Sequence, residues 1–181
     1  MPRFIMTYTG LRFEPMNPDP EKIRLEDIAH ALSLLCRGNG HVKSFWSVGE
    51  HCICCAKEAL ARGLGERMAL ACLLHDAGEC YLSDIPRPFK QSLPSYQVLE
   101  DRLLEMIYEK YLGSALTQTE QKLLKEIDDD LLWYDLKVLL GWQENDTAPA
   151  IHISLNYAVR PFEEVEQEYL RMCAELLPSG H

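Results

Sequence analysis

A histidine and an aspartate stand next to each other in an otherwise apolar helical segment. His75 and Asp76 follow Leu73 and Leu74 directly and precede Ala77. Neighbouring residues of a helix point about 100° apart, so both side chains can reach one ion from a single turn. Burying either group without a partner would be costly, so we expect a metal ion or hydrogen bonds to satisfy the pair. The dipeptide alone leaves both interpretations open.

Two other residues place polar groups on apolar faces of predicted helices. His51 lies near the start of a helix, where a lone histidine is more often a core residue than a ligand. Asp128 has Leu124, Leu131 and Leu132 as neighbours about one helical turn away, so its carboxylate points into an apolar stripe. A carboxylate without a compensating partner would be expensive there, which makes Asp128 a candidate ligand.

The two carboxylates that follow Asp128 are alternatives to it. By helical angle, Asp129 faces Lys122 and Lys125, which predicts a solvated side chain. Asp130 faces the apolar side of the helix instead, so it is the fallback ligand.

Several charged or aromatic residues near these positions could act on a substrate. Glu79 lies four residues after His75, so it projects from the same helical face and is a candidate general acid/base; the alternative is a solvated carboxylate. Trp46 precedes the His51 helix and could stack on a base or sugar, or pack in the core. Phosphate would need cationic donors, and the candidates, each of which could instead be a plain surface charge, are Lys43, Arg87 and Lys90.

Helical signals surround these residues. Ser47 with Glu50, and Thr117 with Glu120, have the spacing of a capping box, in which two side chains satisfy backbone N–H groups reciprocally. Pro161 suits the first position of a last helix. The predicted helices span about residues 21–36, 47–62, 66–80, 95–111, 117–140 and 161–177.

Strand signals are scarce in the rest of the chain. Pro15, Pro18 and Pro20 indicate an irregular or hairpin-like lead-in, and residues 151–153 could form one short extended piece. The sequence therefore predicts an all-α fold in a single domain over residues 1–181.

The composition agrees with one such domain. The chain has 181 residues, of which 47% are hydrophobic, enough for a sizeable core. It has neither a run of about 18 uncharged apolar residues nor the apolar segment of a secretory signal, so we expect a cytoplasmic protein that does not enter a membrane. A net charge of −10 would repel nucleic acid. The seven cysteines fit buried thiols in a reducing compartment better than a zinc cluster.

The order His51, then His75–Asp76, then Asp128, each on its own predicted helix, resembles the HD-domain phosphohydrolase superfamily, most closely its small single-domain branch that hydrolyses nucleotides. The resemblance covers about residues 25–140, and its matching segments are EDIAHAL at 26–32, FWSVGEH at 45–51, LLHDAGE at 73–79, DIP at 84–86 and KEID at 125–128. It implies a helical bundle in which His51, His75, Asp76 and Asp128 bind one divalent ion. Such a mixed nitrogen and oxygen ligand set suits Mn, Co, Fe, Ni, Zn or Mg.

The resemblance implies further roles outside this ligand set. Asp84 matches an acidic residue that takes part in the reaction of related nucleotidases, although a turn residue is an equal alternative. Arg37 matches an arginine that lies near their substrate. Related small nucleotidases tend to be dimers, so a homodimer is an expectation. No histidine lies between His75 and Asp128, where dinuclear relatives have extra ligands, and this favours one ion.

These observations predict a metal-dependent phosphohydrolase that acts through a metal-activated water on a nucleotide or a similar small phosphate ester. The first alternative is a catalytically inactive sensor of the same fold that binds a nucleotide or metal; the presence of Glu79 and Asp84 favours the enzyme. The second alternative is a helical interaction protein whose buried polar pairs satisfy each other, so that chelators would leave its stability unchanged.

Overall fold

The computed structural model describes residues 3–143 and 147–178. Within these residues the regular structure is helical except for one two-stranded sheet, which confirms the all-α prediction. The elements are β1 (Ile5–Met6), β2 (Arg12–Phe13), α1 (Leu25–Leu34), α2 (Val48–Ala61), α3 (Glu66–Leu74), α4 (Glu79–Leu82), α5 (Arg87–Lys90), α6 (Pro94–Leu112), α7 (Gln118–Leu139) and α8 (Phe162–Leu176), with 3-10 turns at Pro20–Lys22 and Arg37–Gly40. No described helix is both long enough and apolar enough to cross a membrane.

The lead-in is a short hairpin that is fixed to the first helix. Strands β1 and β2 pair antiparallel, and Gly10 has a φ of 82° in the turn between them. The backbone N–H and the hydroxyl of Thr9 donate to the two carboxylate oxygens of Asp27 at 2.7 and 2.9 Å. Phe13 is fully buried and stacks on Tyr81 with ring centroids 4.0 Å apart. The hairpin therefore closes one side of the core.

Helices α2 and α3 form the centre of the domain, and α8 packs across α1, α2 and α3. All residues of α3 from Met68 to Leu74 are buried, because this helix is surrounded by α2, α6, α7 and α8. The hydroxyl of Tyr169, which is itself fully buried, donates to the carbonyl of Leu73 at 2.6 Å and so attaches α8 to the end of α3.

The start of α2 shows why this sequence places His51 where it does. Ser47 is the N-cap: its hydroxyl accepts from the N–H of Glu50 at 3.1 Å, and its own N–H donates to the Glu50 carboxylate at 2.9 Å. The capping box is thus confirmed, as is the one at Thr117. A Cβ at Gly49 would lie 3.2 Å from backbone atoms of Leu32, so glycine lets α2 begin directly against α1.

The helix predicted over residues 66–80 is wrong beyond Leu74. The N–H of Ala77 donates to the carbonyl of Leu74, and the N–H of Glu79 to that of Asp76, each three residues back. These tighter turns separate α3 from α4, so Glu79 does not continue the helical face of His75. Three smaller differences are that α1 begins at Leu25, that α5 forms in the predicted loop, and that residues 151–153 form no strand.

The irregular stretch at 147–160 lies across α2 and α7. His152 donates from its backbone N–H to the buried carboxylate of Glu58 on α2 at 2.9 Å. The hydroxyl of Tyr134 on α7 donates to the carbonyl of Pro149 at 2.7 Å. The tertiary structure therefore fixes this stretch although it is not helical.

Candidate metal centre

Four side chains from α2, from the turn after α3 and from α7 meet beneath the surface. Asp128 Oδ1 lies 3.1 Å from His51 Nε2 and 3.8 Å from His75 Nε2. Asp76 Oδ2 lies 3.2 Å from the same His75 nitrogen, and the two imidazole centroids are 5.3 Å apart. The structure thus brings together the four residues that the sequence analysis put forward as ligands, including both members of the His75–Asp76 pair.

His75 presents an unused ring nitrogen to this cluster. Its Nδ1 lies 2.7 Å from the carbonyl of Cys72, and because a carbonyl can only accept, this nitrogen bears a proton. Its Nε2 is buried and has no hydrogen-bond partner within the described residues. Against the effect of burial, the carboxylates, Asp76 above all, raise the pKa of His75 well above its usual value, so this nitrogen is a position that favours a positive charge. A proton or a metal cation would satisfy it, and the residues present therefore fit a metal ion.

The charges of the cluster depend on one another. Burial alone would raise the pKa of Asp76, but His75 and Arg37 lower it below its usual range. At Asp128, burial would likewise raise the pKa, but His51, His75 and Arg87 lower it below its usual range. Both carboxylates therefore stay ionised, as ligands for a divalent cation must be.

Asp135, which was not among the residues predicted from the sequence, contacts His51 on the side of the ring that faces away from Asp128. Its Oδ2 lies 2.9 Å from His51 Nδ1 and 3.4 Å from an Arg37 nitrogen, and its Oδ1 accepts from the Tyr157 hydroxyl at 2.9 Å. The Asp135 carboxylate fixes the His51 ring so that Nε2 faces Asp128. One signal was available: Asp135 follows Asp128 by seven residues, which places both on one face of α7.

Two buried thiols lie beside the imidazoles. Cys55 Sγ is 3.4 Å from His51 Nε2. The ligand atoms of His51, Cys55 and His75 lie within 4.8 Å of one another, and so do those of Cys52, His75 and Asp76. The centre therefore contains candidate metal ligands of the His, Cys and Asp types. Burial raises the pKa of both thiols, so a thiolate would form there at a higher cost than the carboxylates.

A cavity of about 520 Å³ is lined by Asp76 and Asp128, among other residues. Both predicted catalytic carboxyls line it. Glu79 is 5% exposed, and its Oε2 has no hydrogen-bond partner in the part of the chain that is described. Burial and the charges of Asp76 and Asp84 raise the pKa of Glu79 well above its usual value, and burial also raises the pKa of Asp84.

Three of the predicted phosphate donors also line this cavity, and each is paired with carboxylates. Arg37 lies 3.5 Å from Asp76, in addition to its contact with Asp135. Lys90 is 2.6 Å from Glu100 and 3.7 Å from Glu79. The third, Arg87, forms ion pairs with both Asp128 and Asp129.

The other predicted residues lie elsewhere. Trp46 is 3% exposed and packs on Tyr157 with ring centroids 4.7 Å apart, and it does not line the cavity beside Asp128. Lys43 is exposed and does not line it either. Asp130, the fallback ligand, accepts from Arg62 at 2.7 Å instead of facing the imidazoles.

Comparison with known proteins places the chain among bacterial relatives whose names state no activity. No family model matches it. It is 37% identical to the uncharacterized protein YfdR of Escherichia coli over 108 residues, which are 60% of this chain and 58% of the length of YfdR. It is 31% identical to the uncharacterized protein RCAP_rcc00048 of Rhodobacter capsulatus over 175 residues, 89% of either chain. The chain therefore belongs to the same protein family as RCAP_rcc00048.

Proposed function

We propose that this protein is a metal-dependent phosphohydrolase that acts on a nucleotide or a similar small phosphate ester. The observation that supports it most directly is the unpartnered Nε2 of His75, which faces Asp76 and Asp128 beside an open cavity. His51, His75, Asp76 and Asp128 would hold one divalent cation. When bound, such a cation lowers the pKa of a water ligand and offsets negative charge that develops on phosphorus.

The residues around the cation have separate tasks in this proposal. Asp135 and the Cys72 carbonyl hold the two imidazoles in the orientation that presents Nε2 to the cluster. Glu79, which burial favours in its protonated form, donates a proton to the leaving alcohol oxygen. Asp84 lines the same cavity and can receive a proton from the attacking water.

Phosphate binding falls to basic groups at the charged end of the cavity. The guanidinium groups of Arg37 and Arg87 and the ammonium group of Lys90 can each donate to a phosphate oxygen. Arg87 has the most exposed side chain of the three, at 48%, so it can exchange a carboxylate partner for substrate at the lowest cost.

Phosphate release from a panel of nucleotides, assayed with Mn²⁺, Co²⁺ and Mg²⁺, tests the proposal together with a measurement of bound metal. We expect His75→Ala and Asp128→Ala to lose both metal and turnover, and Glu79→Ala to keep metal but lose turnover. Glu126→Gln, on the exposed side of α7, is the matched control and should retain both.

Two results would contradict the proposal. An Asp128→Ala protein that is active without metal would remove the assigned ligand set. Metal or nucleotide binding without turnover of any phosphate ester would favour the inactive sensor instead.

A further inference from the structure

On α7 and at its C-cap, the lining residues farthest from Asp128 are Leu136, Leu139 and Leu140, so that end of the cavity is apolar. We infer that the substrate is a phosphate monoester whose alcohol portion is itself apolar and lies along α7; this inference rests on the proposed phosphohydrolase function. The apolar wall is formed by Val42, Ile85, Leu132, Leu136, Leu139 and Leu140.

Helix α7 connects the two ends of the cavity. Asp128, Leu132, Asp135, Leu136 and Leu139 all line it, at the spacing of one helical face. At about 1.5 Å per residue, Leu132 lies about 6 Å and Leu139 about 16 Å along the helix from the carboxylate of the metal centre. A phosphate held beside Asp128 would therefore direct its ester group along the leucines of α7.

The apolar wall offers hydrophobic contact and no hydrogen bonds from side chains. Among the described lining residues, every polar side chain is ionisable. Asp135 lies between Leu132 and Leu136 on α7, but its carboxylate is bonded to His51, Arg37 and Tyr157. None of the described lining residues has an aromatic ring or a neutral hydroxyl or amide group. Hydroxyls of a sugar and the edge of a nucleobase would thus lose water without gaining side-chain partners, whereas an aliphatic or aryl group would gain from burial.

The charges at the end of the cavity beside Asp76 and Asp128 favour a substrate with one phosphate group over a substrate with several. Five carboxyl groups and three basic groups line the cavity. The carboxylates outnumber the basic groups, and a monoester dianion adds two more negative charges. One divalent cation would compensate this total only in part, and the basic groups are already paired with carboxylates. A triphosphate would add further negative charge without additional cations to meet it.

Binding of non-hydrolysable phosphonates to the Mn²⁺-loaded protein tests the inference without turnover. The probes are ethyl-, butyl- and hexylphosphonate and the phosphonate isosteres of nucleoside monophosphates, measured by calorimetry. Burial of one methylene group corresponds to about a fourfold gain in affinity, so hexylphosphonate should bind about tenfold or more tighter than butylphosphonate. Hexylphosphonate should also bind more tightly than the nucleoside isosteres.

Two variants of α7 separate the apolar wall from the fold. Leu136→Asn should remove most of the gain from butyl- to hexylphosphonate, whereas Val138→Asn, at a 46% exposed position outside the cavity, should leave it intact. Leu136→Trp should fill the cavity, so that hexylphosphonate loses affinity while ethylphosphonate does not.

The inference would be overturned if affinity stayed constant along the alkyl series or if no member of the series bound. Tighter binding of the nucleoside isosteres than of hexylphosphonate would overturn it as well. A different failure concerns the proposed function alone. If the alkyl series behaves as expected but no phosphate ester is hydrolysed under any metal, the cavity binds such compounds and the protein is not a phosphohydrolase.

Discussion

Replacing Asp135 tests whether a residue outside the proposed ligand set controls the candidate metal centre. The Asp135 carboxylate is 6% exposed and accepts hydrogen bonds from His51, Tyr157 and Arg37. We expect its loss to weaken metal binding through His51, because an imidazole that donates Nδ1–H to an anion is a better electron donor at Nε2 and is held in one orientation.

The expected magnitude follows from how each substitution can be accommodated. In Asp135→Asn the amide oxygen can still accept from His51 and Arg37 while the amide nitrogen faces the Tyr157 oxygen. Geometry is then kept and the charge is lost, so we expect the dissociation constant to rise about tenfold, the lower end of the range for such supporting groups. Asp135→Ala leaves three donors without an acceptor, so we expect a rise of about 100-fold and a free energy of unfolding lowered by a few kcal/mol.

The assay is calorimetric titration of the metal-stripped proteins with Mn²⁺ in the absence of substrate. Glu126→Gln removes the same charge from an exposed position of the same helix and should bind Mn²⁺ like the wild type. Dissociation constants of Asp135→Asn and Asp135→Ala that both lie within about twofold of the wild-type value would refute the reasoning, since second-sphere carboxylates usually contribute at least about tenfold.

Four further substitutions report on the fold. Because burial raises the pKa of Glu79, the folded state retains a proton that the unfolded chain releases, and the stability from this difference is lost as the pH rises through the folded pKa. In the presence of chelator, the Tm of Glu79→Gln minus the Tm of the wild type should therefore increase from pH 5 to pH 9. A difference that stays constant over this range would contradict the argument. Ser47→Ala should lower the free energy of unfolding in urea by about 1–2 kcal/mol, and Thr117→Ala, at an exposed cap, by less; equal losses would show that burial of the cap is irrelevant. Tyr169→Phe leaves the carbonyl of Leu73 without its donor and should cost about 1–2 kcal/mol in the same assay, and an unchanged midpoint would contradict that.

Local chemistry made the helix starts predictable, and tertiary contacts explain what was missed. The capping boxes at Ser47 and Thr117 involve residues three apart, so the sequence contains the whole interaction. The end of α3 at Leu74 was not predictable in this way, since the apolar pattern continues past it through Ala77 while the backbone tightens into turns.

The same distinction applies to the metal centre. Asp128 stood out because a carboxylate in an apolar stripe needs a partner, whatever that partner is. The role of Asp135 depends on Arg37 and Tyr157, which are 98 and 22 residues away along the chain. The seven-residue spacing from Asp128 therefore indicates the face of α7 on which Asp135 lies, but not these partners. The packing of Trp46 on Tyr157 could not be predicted for the same reason. Tyr157 belongs to the stretch at 147–160, which is far from Trp46 in the sequence but lies against this side of the centre.

The stretch at 147–160 also determines how much of the chain must be kept together. A protein truncated after residue 142 would retain every proposed ligand but lose α8 together with Tyr157 and His152, so that the carboxylates of Asp135 and Glu58 would each lose one of their donors. The smallest fragment that keeps the candidate metal centre and its supporting contacts is therefore longer than residues 25–140. Chimeras between relatives should exchange this stretch together with α2 and α7 as one cassette.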